Sequence, residues 1–440
     1  MKTIFRKILF WMHLSAGVAA GIIIAIMSLT GASLAFEPQI LDWADREVRQ
    51  VQAPAPDAAR LPIDELLARV RAARPEAQPS AVTVTSEPDS AVQVILGRTG
   101  GVYVNPYTGE LREQGAPGLR AFFHQMEEWH RWLGTSEDHR ALGRSITGAA
   151  NLAFLFLAIS GLYLWWPRKW TWRTVRPTLW FKRGLSGKAR DFNWHNTAGF
   201  WALPVIIVLT VSGTVMSYRW ASDLIFKLTG NEPPANQGPF AQSTVKVPPP
   251  SPGTSPLSYE ALFAEARKQV PAWESITLRL GGGPRGNAPQ GPRPDGPARA
   301  EGRGERPEGG ERGRGEGRGG PGGGEARGPQ ALTFSIKEKG AWPLFASAQA
   351  SLDPFTGQVL RRETFADYDS GRQIRSWLRF LHTGQALGWV GQLIAGLASL
   401  GGAFLMWTGF TLSWRRFFRR GSRVSATEPS TSTAQSETTA

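Results

Sequence analysis

The chain has 440 residues, 41% hydrophobic and 10% aromatic, with 18 Trp, no Cys and a formal net charge of +14. Without cysteine there are no disulfide frameworks, thiol nucleophiles, Cys-ligated zinc or iron–sulfur centres, or covalently attached c-type haem. The basic excess suits a nucleic acid or a membrane surface, and its placement along the chain decides between them.

Lys2, Arg6 and Lys7 precede the first long apolar run, 14–36. It is too long for a signal-peptide core and three similar runs follow, so it reads as an uncleaved spanning helix. The next segment, 37–140, is polar. It holds an amphipathic helix opening at 61–67, β-type runs at 81–85, 92–96 and 101–104, and the turn Asn105-Pro106-Tyr107-Thr108-Gly109. A second apolar run follows at 146–166, then a loop with Arg168, Lys169, Arg173, Arg176, Lys182, Arg183, Lys188 and Arg190. The third run is 198–217. Beyond it the polar pattern returns: a helix at 257–270, strands at 275–280 and 331–337, and the turn Asp353-Pro354-Phe355-Thr356-Gly357. A Gly/Arg/Pro/Glu tract interrupts this segment from 281 to 329, and its composition buries too little apolar area to fold. The fourth run, 390–412, leads to a tail with Arg415, Arg416, Arg419, Arg420 and Arg423.

None of the four runs contains Asp, Glu, Lys or Arg. With their flanks the spans are drawn as 14–36, 141–166, 195–217 and 381–414. The basic loop 167–194 and tail 415–440 belong in the cytoplasm with residues 1–13, which puts 37–140 and 218–380 outside. Trp165, Trp166, Trp170, Trp172, Trp407 and Trp414 fit an interfacial aromatic belt. The charge is thus largely a topology signal, and an RG-rich tract outside the cytoplasm is read as a solvated loop. No nucleic-acid partner is expected; the lipid bilayer is.

The halves repeat. His13 is followed 18 residues later by Gly31 in Leu29-Thr30-Gly31, and His195 18 residues later by Gly213 in Val211-Ser212-Gly213. Ser160-Gly161 near the end of the second span answers Thr408-Gly409 near the end of the fourth. Trp129-His130 and Leu381-His382 stand before those spans, and the two Asx-Pro-aromatic-Thr-Gly turns match. In such a turn Pro presets φ and Gly supplies positive φ. The fold class expected is a four-helix transmembrane bundle with two small α+β domains outside and an internal two-fold repeat.

The six histidines are His13, His124, His130, His139, His195 and His382. His13 and His195 occupy matched places at the inner ends of spans one and three; His130 and His382 occupy matched places at the outer side. Facing helices of a bundle can offer one imidazole pair at each level. Two bis-His b-type haems suit this pattern, since haem needs no Cys and the spans hold no carboxylate for another metal. His124 and His139 are the alternatives to His130. Arg144 and Arg375 stand where they could neutralise haem propionates or simply flank the membrane. No HExxH, GxSxG or P-loop occurs, nor a GxGxxG dinucleotide fingerprint between strand and helix, so any electron donor is a separate molecule.

The two Asx-Pro-aromatic-Thr-Gly turns, Trp194-His195-Asn196-Thr197-Ala198-Gly199, Leu381-His382-Thr383-Gly384 and Ser160-Gly161-Leu162-Tyr163-Leu164-Trp165-Trp166-Pro167 together resemble the PepSY-associated transmembrane (PepSY-TM) proteins, the iron-regulated membrane protein group. The resemblance implies a bacterial inner-membrane protein with two PepSY-like periplasmic domains. It further implies a haem-dependent oxidoreductase that delivers electrons to ferric siderophores and releases Fe(II), with a quinol or cytoplasmic reductase as donor. His13 with His195 would hold an inner haem, His130 with His382 an outer one. Two other readings stand beside this: the same haems serving copper, a quinone or a partner oxidoreductase, and a membrane-tethered PepSY module that regulates a periplasmic protease or sensor without redox activity.

Overall fold

The structure, a computed structural model, describes residues 2–55, 58–97, 100–167, 169–234, 245–251, 253–280 and 329–418. The 281–329 tract, its last residue apart, lies outside the described residues, as do Arg168 and the tail from Arg419 onward. In chain order the helices are α1 (Lys2–Leu34), α2 (Glu37–Ala44), α3 (Arg46–Arg49), α4 (Ile63–Ala73), α5 (Pro117–Trp132) and α6 (Arg140–Trp165). They continue as α7 (Trp172–Leu179), α8 (Gly187–Ser217), α9 (Arg219–Leu228), α10 (Tyr259–Lys268), α11 (Ser370–His382) and α12 (Gly388–Phe417). The strands are β1 (Pro79–Thr85), β2 (Val92–Leu96), β3 (Gly100–Val104), β4 (Leu111–Glu113), β5 (Trp273–Arg279), β6 (Leu332–Glu338), β7 (Ala348–Leu352) and β8 (Val359–Glu363). Helices α1, α5 to α9, α11 and α12 gather in one compact unit; the strands gather with α3, α4 and α10 in a second.

In the helical unit, α1, α6, α8 and α12 belong to the four stretches long and apolar enough to cross a bilayer, so the chain is a multi-pass membrane protein. Helix α1 packs on α6 and α12, and α8 packs on the same two, which leaves α1 and α8 on one diagonal. Bulky side chains point outward, among them Ile22, Leu29, Ile159, Trp201 and Leu397, while Ala150, Ser160, Ser212, Gly213, Gly402 and Thr408 are buried inside. Small residues inside let helices approach closely where lipid supplies no hydrophobic contrast. Gly402 is an instance: a Cβ there would sit 2.9 Å from Ser28 Oγ and 3.1 Å from Phe154 Cζ.

Helix boundaries differ from the apolar runs for a physical reason. Helix α1 starts at Lys2, not at 14, because hydropathy marks where a helix meets lipid rather than where its hydrogen bonds begin. Residues 381 and 382, drawn at the start of the fourth span, close α11, and a 3-10 turn at Gln385–Leu387 leads into α12. Gly384 (φ +75°), in the left-handed conformation, and Gly388 (φ +64°, ψ −151°), in a region open in practice to glycine alone, break the helix there.

In the other unit, all eight strands form one antiparallel sheet in the order β4-β3-β2-β1-β5-β6-β7-β8. The sequence reading treats the two polar segments as separate domains; here each contributes four strands, and β1 joins β5 at the centre. The register pairs Val82 with Leu278 and Thr83 with Thr277, whose hydroxyls lie 2.9 Å apart. Alternation puts Val82, Val84, Val94, Ile276, Leu278, Phe334 and Ile336 on one face, buried with Leu67 and Val70 of α4 and Phe263 and Ala266 of α10.

The two turns are built alike. Asn105 Oδ1 accepts from Tyr107 N at 2.9 Å, and Asp353 Oδ1 accepts from Phe355 N at 2.8 Å. Gly109 (φ +72°) and Gly357 (φ +73°) close them. Helices α4 and α10 cap each other: Asp64 accepts from Tyr259 N and Glu260 N at 2.9 and 3.0 Å, and Glu260 accepts from Ile63 N at 3.1 Å. Asp64→Ala therefore strips two N–H groups of their acceptor, at an expected cost of about 1 kcal/mol. Amide exchange at residues 259 and 260 should quicken in the detergent-solubilised chain, with α6 unchanged.

Candidate functional site

At one end of the bundle, His13 lies about three turns into α1 and His195 about two turns into α8. Both sit inside helices rather than at their ends, on the diagonal pair. His13 Nδ1 is 2.8 Å from Ser160 Oγ of α6, and His195 Nδ1 is 2.9 Å from Thr408 Oγ1 of α12. Each ring rests on the glycine after its hydroxyl partner. A Cβ on Gly161 would be 3.3 Å from His13 Cε1, and one on Gly409 would be 3.8 Å from His195 Cε1.

At the opposite end, His130 near the close of α5 donates from Nδ1 to the Met27 carbonyl at 2.9 Å, with Thr30 Oγ1 at 3.1 Å. His382, the last residue of α11, donates from Nδ1 to the Leu209 carbonyl at 3.0 Å, with Ser212 Oγ also at 3.0 Å. The two rings are brought together, 6.3 Å between centroids at an interplanar angle of 60°. An imidazole–metal bond of about 2 Å on each side, added to the half-widths of the rings, spans a similar distance. Gly31 makes room, since a Cβ there would lie 3.1 Å from His130 Cε1. In all four rings the hydrogen bonds run to Nδ1, which leaves Nε2 as the nitrogen open to a metal.

Neither His124 nor His139 joins these pairs. His124 is exposed on α5, 3.8 Å from Glu128 one turn along, and His139 Nδ1 pairs with Ser136 Oγ at 2.9 Å in a local turn. Arg144 donates to the Met216 and Ser217 carbonyls at 3.3 and 3.4 Å, closing the end of α8. Arg375 is half-buried on α11.

Sequence reasoning missed several residues that shape the site. The four hydroxyls beside the histidines were visible only as repeat marks, Ser or Thr followed by Gly. Asp191 is 2% exposed one turn before His195, and Arg415 of α12 donates to it at 2.8 Å, with Arg190 at 2.9 Å. Two basic residues neutralise one buried carboxylate and tie α8 to α12. Asn193 accepts from Lys182 N at 2.8 Å and donates to the Pro177 carbonyl at 2.9 Å, holding the loop with α7 against α8.

Among the described residues no three or more His, Cys, Asp or Glu converge as a metal site. A metal held here would take its other ligands from a macrocycle or from solvent. No curated protein matches the sequence significantly. The PepSY-associated TM region matches from residue 10 to residue 416, nearly the whole length of the bundle and sheet, and the chain belongs to that family.

Proposed function

We propose that the chain is a haem-dependent reductase carrying electrons across a bacterial inner membrane to a ferric siderophore, so that iron is released in the periplasm as Fe(II). The observation that carries this reading is the arrangement of four histidines as one pair toward each end of a membrane bundle, each with Nδ1 hydrogen-bonded and Nε2 open. With 6.3 Å between their rings, His130 and His382 would be able to hold one iron between them. A porphyrin supplies the four further nitrogens that the protein does not. A bis-His b-type haem passes single electrons and, with both axial positions filled, does not bind oxygen.

The chain's own residues supply the rest. His13 with His195 would hold one haem and His130 with His382 the other, and the apolar layer between them, including Ile24, Leu157, Ile206 and Met406, keeps water and protons out. The basic loop and tail support a cytoplasmic position for the His13/His195 end by the positive-inside rule, where a quinol or cytoplasmic reductase would act as donor. Arg144 and Arg375 would offer charge to propionates at the periplasmic end. Iron(III) chelates suit the acceptor role, since one electron converts a hard cation into one that hard oxygen ligands hold less tightly.

The test is a dithionite-reduced-minus-oxidised visible spectrum of the detergent-purified chain, with a haemochrome assay. A sharp b-type α band with about two haems per chain is the expected result. A colourless protein after haem-replete expression overturns the reading and leaves the tethered regulatory module. Growth on a ferric siderophore as sole iron source, with and without the gene, then tests the acceptor; equal growth would point to copper, a quinone or a partner oxidoreductase.

A further inference from the structure

Each of the four histidines meets a hydroxyl that is followed in sequence by glycine: Thr30-Gly31, Ser160-Gly161, Ser212-Gly213 and Thr408-Gly409. A hydroxyl carries one proton. In all four cases it is directed at the hydroxyl's own helix, four residues back. Thr30 donates to the Ile26 carbonyl at 2.8 Å, Ser160 to Phe156 at 2.6 Å, Ser212 to Val208 at 2.6 Å and Thr408 to Phe404 at 3.0 Å. With its proton taken up there, the oxygen is left to accept from the imidazole, an arrangement that favours the hydrogen on Nδ1 and the lone pair on Nε2.

We propose that Thr30, Ser160, Ser212 and Thr408 are positioning residues that select the Nδ1–H tautomer of His130, His13, His382 and His195, and so set the strength with which each Nε2 ligates iron. The proposal rests on the haem reading for its second half only, since tautomer selection is a property of the chain itself. An acceptor on Nδ1–H makes the ring a stronger electron donor and fixes its orientation. The following glycine is the companion feature at three of the sites: with no Cβ, it lets the ring lie close enough for the hydroxyl to reach it. At the fourth, Gly213 makes room for Asn151 instead, whose Oδ1 would lie 2.9 Å from a Cβ there.

The four sites are not equivalent, and this makes the proposal sharp. His130 and His382 each have a backbone carbonyl, of Met27 and Leu209, as a second acceptor. His195 has the Leu405 carbonyl beside it. His13 has Ser160 as its one hydrogen-bond partner among the described residues. Ser160→Ala should therefore have the largest effect, Thr408→Val a smaller one, and Thr30→Val and Ser212→Ala the least.

The experiment uses the full-length chain in detergent with 15N-labelled histidine. Only six histidines are present, so the ring signals can be assigned by single substitution. In the haem-free chain the four ligand rings should show a protonated Nδ1 and a bare Nε2, and Ser160→Ala should convert His13 to a mixture of tautomers. In the haem-loaded chain Ser160→Ala should weaken haem retention at that site by about 10–100-fold, the range for loss of such an outer partner, and raise its reduction potential. Ser160→Thr should restore both. Unchanged tautomers in Ser160→Ala, or an effect equal at all four hydroxyls, would overturn the proposal. A wild-type chain that binds no haem would overturn the haem reading instead, with the imidazole spectra still deciding the tautomers.

Discussion

His382→Ala is expected to reduce the haem content from about two per chain to about one, because a bis-His site cannot hold its iron firmly with one axial ligand. Electron delivery to an external ferric chelate should fall by at least about 100-fold, since even loss of an outer-sphere partner of a metal-binding histidine costs 10–100-fold. The 6.3 Å spacing of the His130 and His382 rings makes a further expectation possible. His130→Ala should have the same effect, and the double substitution should be no worse than either single one, because two ligands of one iron act as a unit. His13→Ala should remove the other haem. His124→Ala and His139→Ala should leave both, as among the described residues their rings pair with Glu128 and Ser136 and with no other histidine. Haemochrome stoichiometry and the reduced spectrum of each purified variant check the set. Loss of a haem in His139→Ala would break the assignment of His130.

Gly384→Ala should be the most damaging small substitution in the bundle. Gly384 has φ +75°, and a Cβ there would lie 2.5 Å from Gln392 Cα and 2.7 Å from Gln392 N, backbone atoms that cannot step aside. The left-handed conformation costs a non-glycine residue about 1 kcal/mol. Adding the overpacking gives an expected loss of about 2–4 kcal/mol. The closeness is reciprocal: a Cβ on Gly391 would collide with the Gly384 carbonyl, so Gly391→Ala should behave similarly. At the corresponding place in the first half, a Cβ on Gly143 of α6 would collide with the carbonyl of Trp132, the last residue of α5. The chain just at or beyond the ends of α5 and α11, the helices that carry His130 and His382, thus packs directly against α6 and α12. Gly230→Ala is the control, with φ +73° but open space around it, and should cost only about 1 kcal/mol. Thermal unfolding of the detergent-solubilised variants, read together with haem retention, measures both.

The sequence carried the spans and the Asx-Pro-aromatic-Thr-Gly turns plainly, because each is written in local composition or spacing. Apolar runs show where lipid begins, and a turn of five residues holds its own hydrogen bonds, as Asn105 and Asp353 do. What was not legible depends on distant partners. The pairing of β1 with β5 leaves no local trace, since either strand would show the same alternation in a separate domain. β4, three residues long, is too short for periodicity to register. The hydroxyl–histidine contacts were half visible: Thr30-Gly31 and Ser212-Gly213 stood out as repeated pairs, but which ring meets which hydroxyl depends on helix packing. His130 lies 100 residues from Thr30, and His382 lies 170 from Ser212.

The central β1–β5 ladder bears on the order of events as the chain emerges from the ribosome. Thr83 and Thr277, opposite each other in that ladder, are 194 residues apart, and α6 and α8 lie between them in the chain. Until β5 has been made, β1 carries a row of unpaired N–H and C=O groups, and an uncovered strand edge is a template for pairing with other chains. Contacts between residues so far apart also form slowly, because the loop between them must first be closed. The first four strands are therefore a waiting half-sheet, completed only after two further helices have entered the lipid. Synthesis of the second half protects the first.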